Sequence, residues 1–134
     1  DTHAHIYLAE FKEDRQAMLD RCRAQGLSKV LMPNIDSTSI DDLLQLESEA
    51  PDLCVAMMGL HPCYVKKGFE KDLYLIEDWL NKRSFCAVGE IGTDLYWDKS
   101  LWAEQQEAFE VQLNLAKKHK LPVSIHSRES TEEA

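Results

Sequence analysis

Short apolar runs alternate along this chain with longer stretches whose apolar positions recur every three or four residues. The short runs are Lys29 to Asn34, Leu53 to Leu60, Phe85 to Ile91 and Leu121 to His126, and their length and lack of polar alternation predict buried parallel strands. The longer stretches predict helices. One covers Phe11 to Gln25, with Gly26 as its stop. A second starts at Ser39 as N-cap, has Asp41 and Asp42 in its first turn, and turns Ile40, Leu43, Leu44 and Leu46 toward a sheet. A third is marked by Leu73, Ile76, Trp79 and Leu80, and a fourth runs from Trp102 to Lys120 with Phe109, Leu113 and Ala116 spaced for burial. His3 and His5 read as the end of a further, first strand. Five strands joined by four helices imply an α/β fold, a parallel sheet under helices, with functional side chains at the carboxyl ends of the strands.

A length of 134 residues suits one domain, 1–134, with a substantial core. Hydrophobic residues at 44 % and three tryptophans place the chain in the globular class. There is no membrane-length apolar run, signal-like start, linker or charge block, so a soluble cytoplasmic protein is expected. Cys22, Cys54, Cys63 and Cys86 form no C-x-x-C pair, which fits a reducing compartment. The net charge of −9 argues against a broad basic face gripping nucleic acid. It leaves a phosphate substrate open, because bound divalent cations reverse the sign locally.

The chemistry centres on Ala87-Val88-Gly89-Glu90-Ile91-Gly92-Thr93-Asp94, a buried strand expected to deliver a carboxylate at its end. Burying Glu90 is costly unless it is paired or binds a cation. His3 and His5, two apart, leave the same face of an extended chain and can converge on one ion. In isolation they read equally well as an exposed hydrogen-bonded pair, and Glu90 as a salt-bridge partner. His126 alone suits a hydrogen-bonded core histidine, but matching positions at strand ends favour one shared metal site. Arg128 offers a planar fork to phosphate or carboxylate, or an ion pair to Glu129 or Glu132. His61, before Pro62, is a substrate contact or proton donor, or a loop histidine capping backbone carbonyls. Asp94 is a candidate orienter or a turn residue. Tyr96, Trp97 and Trp102 suit base stacking but read first as a helix packing on the sheet rim, and His119, among lysines, as solvated. With no P-loop, G-x-G-x-x-G or nucleophile elbow, histidines plus a carboxylate favour metal-activated water over covalent catalysis.

Asp1-Thr2-His3-Ala4-His5, Gly59-Leu60-His61-Pro62, Gly89 to Asp94, Gln106 to Leu115 and Ile125-His126-Ser127-Arg128 together resemble the TatD-type metal-dependent deoxyribonucleases. Thr93 departs from the family's usual Leu. The resemblance implies a TIM-type (β/α)8 barrel with one or two divalent metals (Mg, Mn or Zn). It implies His3, His5 and Glu90 as ligands of one metal, and Glu90 and His126 as ligands of the other. His61 and Arg128 would lie near the substrate phosphate, making Glu90, His61 and Arg128 the catalytic group. The implied substrate is DNA, single-stranded or at ends, with no stable protein partner. Such a barrel takes about 250 residues, so this chain is expected to be a fragment supplying the first five β/α units, with an open sheet edge. Alternatives are a related barrel metallohydrolase cleaving a C–N or ester bond, and a catalytically inactive remnant.

Overall fold

The computed structural model describes residues 1–132; residues 133 and 134 of the expected domain lie outside the described residues. The elements are α1 (Arg15–Ala24), β1 (Val30–Pro33), α2 (Ile40–Glu49), β2 (Cys54–Met57), α3 (Glu70–Lys82), β3 (Val88–Asp94), α4 (Trp102–His119) and β4 (Val123–Arg128). Single 3₁₀ turns cover Ala9–Phe11 and Pro62–Tyr64. β1 pairs parallel to β2, with Val30 opposite Cys54. β3 pairs parallel to β4, with Gly92 opposite His126 and Asp94 opposite Arg128. A parallel bridge from Met58 to Val88 joins the two pairs. The segment holding His3 and His5 is not a regular strand, but Ala4 donates to Leu31 O at 3.1 Å and Leu31 donates to Asp1 O at 2.9 Å. The expected first strand is thus a short backbone-bonded segment beside β1. The fold is α/β, as the strand–helix alternation predicts.

The helices bury the stripes their spacing predicts: Ile40, Leu43 and Leu46 on α2, and Leu73, Ile76 and Leu80 on α3. α4 is rotated from expectation. Phe109 and Leu113 are only half-buried, while Gln105, Ala108, Gln112, Leu115 and Ala116 face inward. The two glutamines explain the rotation. Gln112 accepts from Leu60 N at 2.7 Å and donates to Leu60 O at 3.2 Å, and Gln105 does the same for Asp94 at 2.8 and 3.0 Å. Buried amides that satisfy strand-end backbone outweigh two ring and aliphatic contacts at the helix edge.

Two boundaries also move, and one expected cap is not made. α1 starts at Arg15 rather than Phe11, because Phe11 closes the preceding 3₁₀ turn. Ser39 makes no side-chain cap; its hydroxyl donates to the buried Asn34 Oδ1 at 2.8 Å. β3 begins at Val88 and runs on to Asp94, so Glu90 lies inside the strand rather than at its end. Pairing with β4 slips between Val88 and Ile91, and Glu90 N bonds instead to Asn34 O at 3.3 Å. At the join between the two strand pairs the backbones meet without side chains. A Cβ on Gly59 would lie 2.8 Å from the carbonyl carbon of Gly89.

Candidate metal centre

Buried Asn34 ties the strand ends together. Its amide hydrogen faces Met57 O at 3.1 Å and Gly89 O at 3.2 Å, and its side chain donates to Gly59 O at 2.9 Å. On this platform the Glu90 carboxylate, 8 % exposed, meets four imidazoles. Its Oε2 is 3.0 Å from His3 Nε2, 3.4 Å from His5 Nε2 and 3.8 Å from His61 Nε2, and its Oε1 is 3.1 Å from His126 Nδ1. Burial alone would raise the Glu90 carboxyl. Hydrogen bonds from His126 and His5, with the nearby His61 and His3, outweigh it and hold the carboxyl far below the usual carboxylate range.

The protonation of His5 follows from its neighbours. Tyr7 donates its hydroxyl hydrogen to Pro33 O at 2.7 Å, so it accepts from His5 Nδ1 at 3.0 Å. Burial pushes the Tyr7 phenol well above its ordinary value, which keeps that hydrogen in place. His5 Nδ1 therefore carries a hydrogen, and Nε2 is the ring atom turned to Glu90 Oε2, 3.4 Å away. His3 Nε2 lies 3.3 Å from the same His5 nitrogen. Two imidazole nitrogens and a carboxylate oxygen aimed at one point repel each other unless a proton or a cation sits between them. The donor set, neutral nitrogen and carboxylate oxygen, fits a divalent cation.

His126 sits across the cleft between two carboxylates, with Nδ1 on Glu90 and Nε2 on Asp94 Oδ2 at 2.8 Å. Both partners are carboxylate acceptors, an environment that favours hydrogens on both ring nitrogens. Glu90, and Asp94 against the cost of burial, raise its pKa. Serving a cation at this position would mean giving up one of those protons. Asp94, buried yet held low by His126, Cys63 and the amides of Tyr96 and Trp97, faces His126 Nε2 directly. Gly92 makes the approach of β4 possible. Its φ is +143°, and a Cβ there would lie 2.0 Å from His126 O.

His61 accepts from Cys63 N at 3.1 Å through Nδ1, so its hydrogen sits on Nε2, facing Glu90. It caps an amide rather than the carbonyls expected of a loop histidine. Burial lowers its pKa to about 4 against the pull of Glu90, so the ring is neutral and offers a hydrogen bond rather than a charge. Cys63 was not legible as a site residue. It groups with His61 and His126, and burial and then Asp94 push its thiol up to about 12.

A cleft of 310 Å³ opens over these groups, lined among others by His5, His61, Tyr64, Trp97, His126 and Arg128. Among the described residues Arg128 makes no ion pair. Its guanidinium stacks 4.4 Å from the Tyr96 ring centre and 5.8 Å from that of Trp97. Tyr96 and Trp97 do not pack on the sheet rim; they are 50 % and 71 % exposed, because Asp94 Oδ1 accepts from both of their amides and turns the loop outward. His119 is half-buried rather than solvated, with Nε2 enclosed and, among the described residues, without a hydrogen-bond partner. The cysteines are all free, and no helix among the described residues is long and apolar enough to cross a membrane.

The structure is thus a parallel α/β fold that gathers four histidines around one buried carboxylate. Residues 1–134 match the family described as TatD related DNase, and the chain belongs to that family. It is 32 % identical over 133 residues to the uncharacterized metal-dependent hydrolase YabD of Bacillus subtilis, covering 99 % of this chain and 52 % of YabD. It is also 32 % identical over 130 residues to the 3'-5' ssDNA/RNA exonuclease TatD of Edwardsiella piscicida, covering 97 % of this chain and 50 % of that one. The crystal structure of YjjV, a TatD homolog from Escherichia coli K12, matches with a TM-score of 0.90 at 34 % identity, over 99 % of this chain and 52 % of YjjV. The chain spans about half the length of the curated relatives it matches.

Proposed function

We propose that this chain carries the metal-binding half of a phosphodiesterase that hydrolyses nucleic acid. The observation that carries the reading is the convergence of His3, His5 and His61 Nε2 on one Glu90 oxygen, with His126 on the other. His3, His5 and Glu90 would hold one divalent cation, and Glu90 with His126 a second. A cation so held would neutralise charge on the phosphoryl oxygens and make water more acidic. The chain's own residues supply the positioning. The exposed guanidinium of Arg128 presents donors to a phosphate. His61, with its hydrogen on Nε2, is a hydrogen-bond donor to a substrate oxygen. Asp94 fixes the orientation of His126, and Tyr7 that of His5. The nuclease named for the Edwardsiella relative supports DNA, single-stranded or at its ends, as substrate.

We further propose that residues 1–134 form the N-terminal part of a single (β/α)8 barrel domain and contribute about five of its units. The half-length coverage of the relatives and the parallel order of the strands support this. A second reading, a related hydrolase acting on a C–N or ester bond, draws on the relative known only as a metal-dependent hydrolase. The test is Mn²⁺- or Mg²⁺-dependent release of nucleotides from a single-stranded oligonucleotide by the protein and its Glu90→Gln variant, beside a panel of amide and carboxylic ester substrates. Release that vanishes in the variant supports the nuclease. Full release by Glu90→Gln sinks it, and turnover confined to the amide or ester panel favours the second reading.

A further inference from the structure

The loop after β3 leaves two large aromatic rings in solvent beside the cleft. Trp97 is 71 % and Tyr96 50 % exposed, and the rings meet edge to face at 4.7 Å. Two adjoining exposed rings beside a cleft form an apolar contact surface. The arrangement is also fixed rather than incidental. Asp94 Oδ1 accepts from Tyr96 N at 2.9 Å and from Trp97 N at 3.4 Å, while Asp94 Oδ2 holds His126. Leu95 N bonds to Arg128 O at 2.9 Å, which ties the loop to β4. One carboxylate therefore sets the distance between the aromatic pair and the histidine cage. Trp97 and Arg128 line the same 310 Å³ cleft as His5, His61 and His126, a volume within the range of small-ligand sites, about 300–1,000 Å³.

From this geometry we infer that Trp97, with the Arg128–Tyr96 stack behind it, is a stacking platform for an unpaired nucleobase next to the phosphate bound at the cage. The inference rests on the nucleic-acid reading of that centre and adds to it the part that recognises a base. Every base has an apolar face, so such a platform tolerates any sequence while requiring a base free of its helix. Arg128 is suited to both tasks, its flat face on Tyr96 and its edge donors toward the backbone phosphate. A strand held in this way is selected for being single, without a reader of base edges. The net charge of −9 fits, because stacking supplies attraction that a basic surface does not.

The experiment compares equilibrium binding of a fluorescein-labelled oligothymidylate and an abasic strand of equal length, in Ca²⁺, to the protein, Trp97→Ala and Trp97→Phe. The protein is expected to prefer the base-bearing strand by about tenfold or more. That preference should collapse toward one in Trp97→Ala and return in Trp97→Phe. A protein without the preference, or a Trp97→Ala variant that keeps it, overturns the platform. Mn²⁺-dependent cleavage of the same oligothymidylate by the unsubstituted protein is read separately. Cleavage without base preference removes the platform and leaves the phosphodiesterase; base preference through Trp97 without cleavage keeps the platform and leaves hydrolysis to the complete barrel.

Discussion

β3 and β4 lie side by side in parallel register, yet β3 is buried at all seven of its positions and β4 at none of its six. The two strands supply complementary chemistry for that reason. β3 brings Glu90 and Asp94, carboxylates whose strength as partners depends on being shielded from water. β4 brings His126 and Arg128, groups that must reach the cleft. A buried charge is tolerable only with partners, and the exposed strand provides them: His126 bonds to both carboxylates at 3.1 and 2.8 Å. Burial and access are thus divided between neighbouring strands and joined by the His126 ring.

The largest expected effect falls on the buried side. Glu90→Gln keeps the shape of the side chain and removes the charge that gathers the imidazoles, so metal-dependent hydrolysis should drop to background and bound metal, measured by elemental analysis, should fall with it. Retained metal with full turnover would break the division just drawn. Next comes a matched pair. Ile91→Ala on β3 should lower the urea unfolding free energy by about 2–5 kcal/mol, whereas Ile125→Ala on β4, at a position 54 % exposed, should change it by less than about 0.5 kcal/mol. Equal costs would mean that β4 is covered in solution. Smaller again is Asp94→Asn, which keeps an acceptor near His126 but no charge. Metal affinity measured calorimetrically should weaken by about 10–100-fold.

The smallest effect is a pH dependence of the metal-free protein. Glu90 and Asp94 are depressed, so their contribution is present above the ordinary carboxylate range and fades as pH falls through their lowered values. His126 is raised, so its contribution is complete below the ordinary histidine value and fades as pH rises through the raised one. Thermal stability should therefore peak between these limits, and His126→Gln should flatten the alkaline side in a melting series. An unchanged alkaline limb would mean that His126 is not held as an imidazolium.

Much of this was legible in the chain itself. Apolar runs and helical spacing locate all four helices and four strands, and the spacing of His3 and His5 with Glu90 and His126 anticipates their meeting. What escaped was whatever depends on distant backbone. The apolar run stops at Ile91, and Asp94 taken alone reads equally as a turn residue, yet Gly92-Thr93-Asp94 completes β3. Gln105 satisfies the Asp94 backbone, and the Ser130 hydroxyl bonds to Thr93 Oγ1 at 2.8 Å. Tyr7 sits in an irregular stretch with no motif of its own, so its role in orienting His5 has no local signal. The outward turn of Tyr96 and Trp97 is set by hydrogen bonds to Asp94, which hydropathy does not register.

The contact of Gly59 on Gly89 has a consequence for measurement in the literal sense. With backbone against backbone and no side chain between, the separation of the two strand pairs has a fixed lower limit, and it acts as a gauge block. On one side of it stand the residues of the N-terminal segment, on the other those of β4, and the gap that Glu90 spans between His5 and His126 is set by that thickness. A methyl on Gly59 would widen the gauge itself, while one on Gly89 would meet Ser124 of β4 at 2.6 Å and press on the other flank of the same strand.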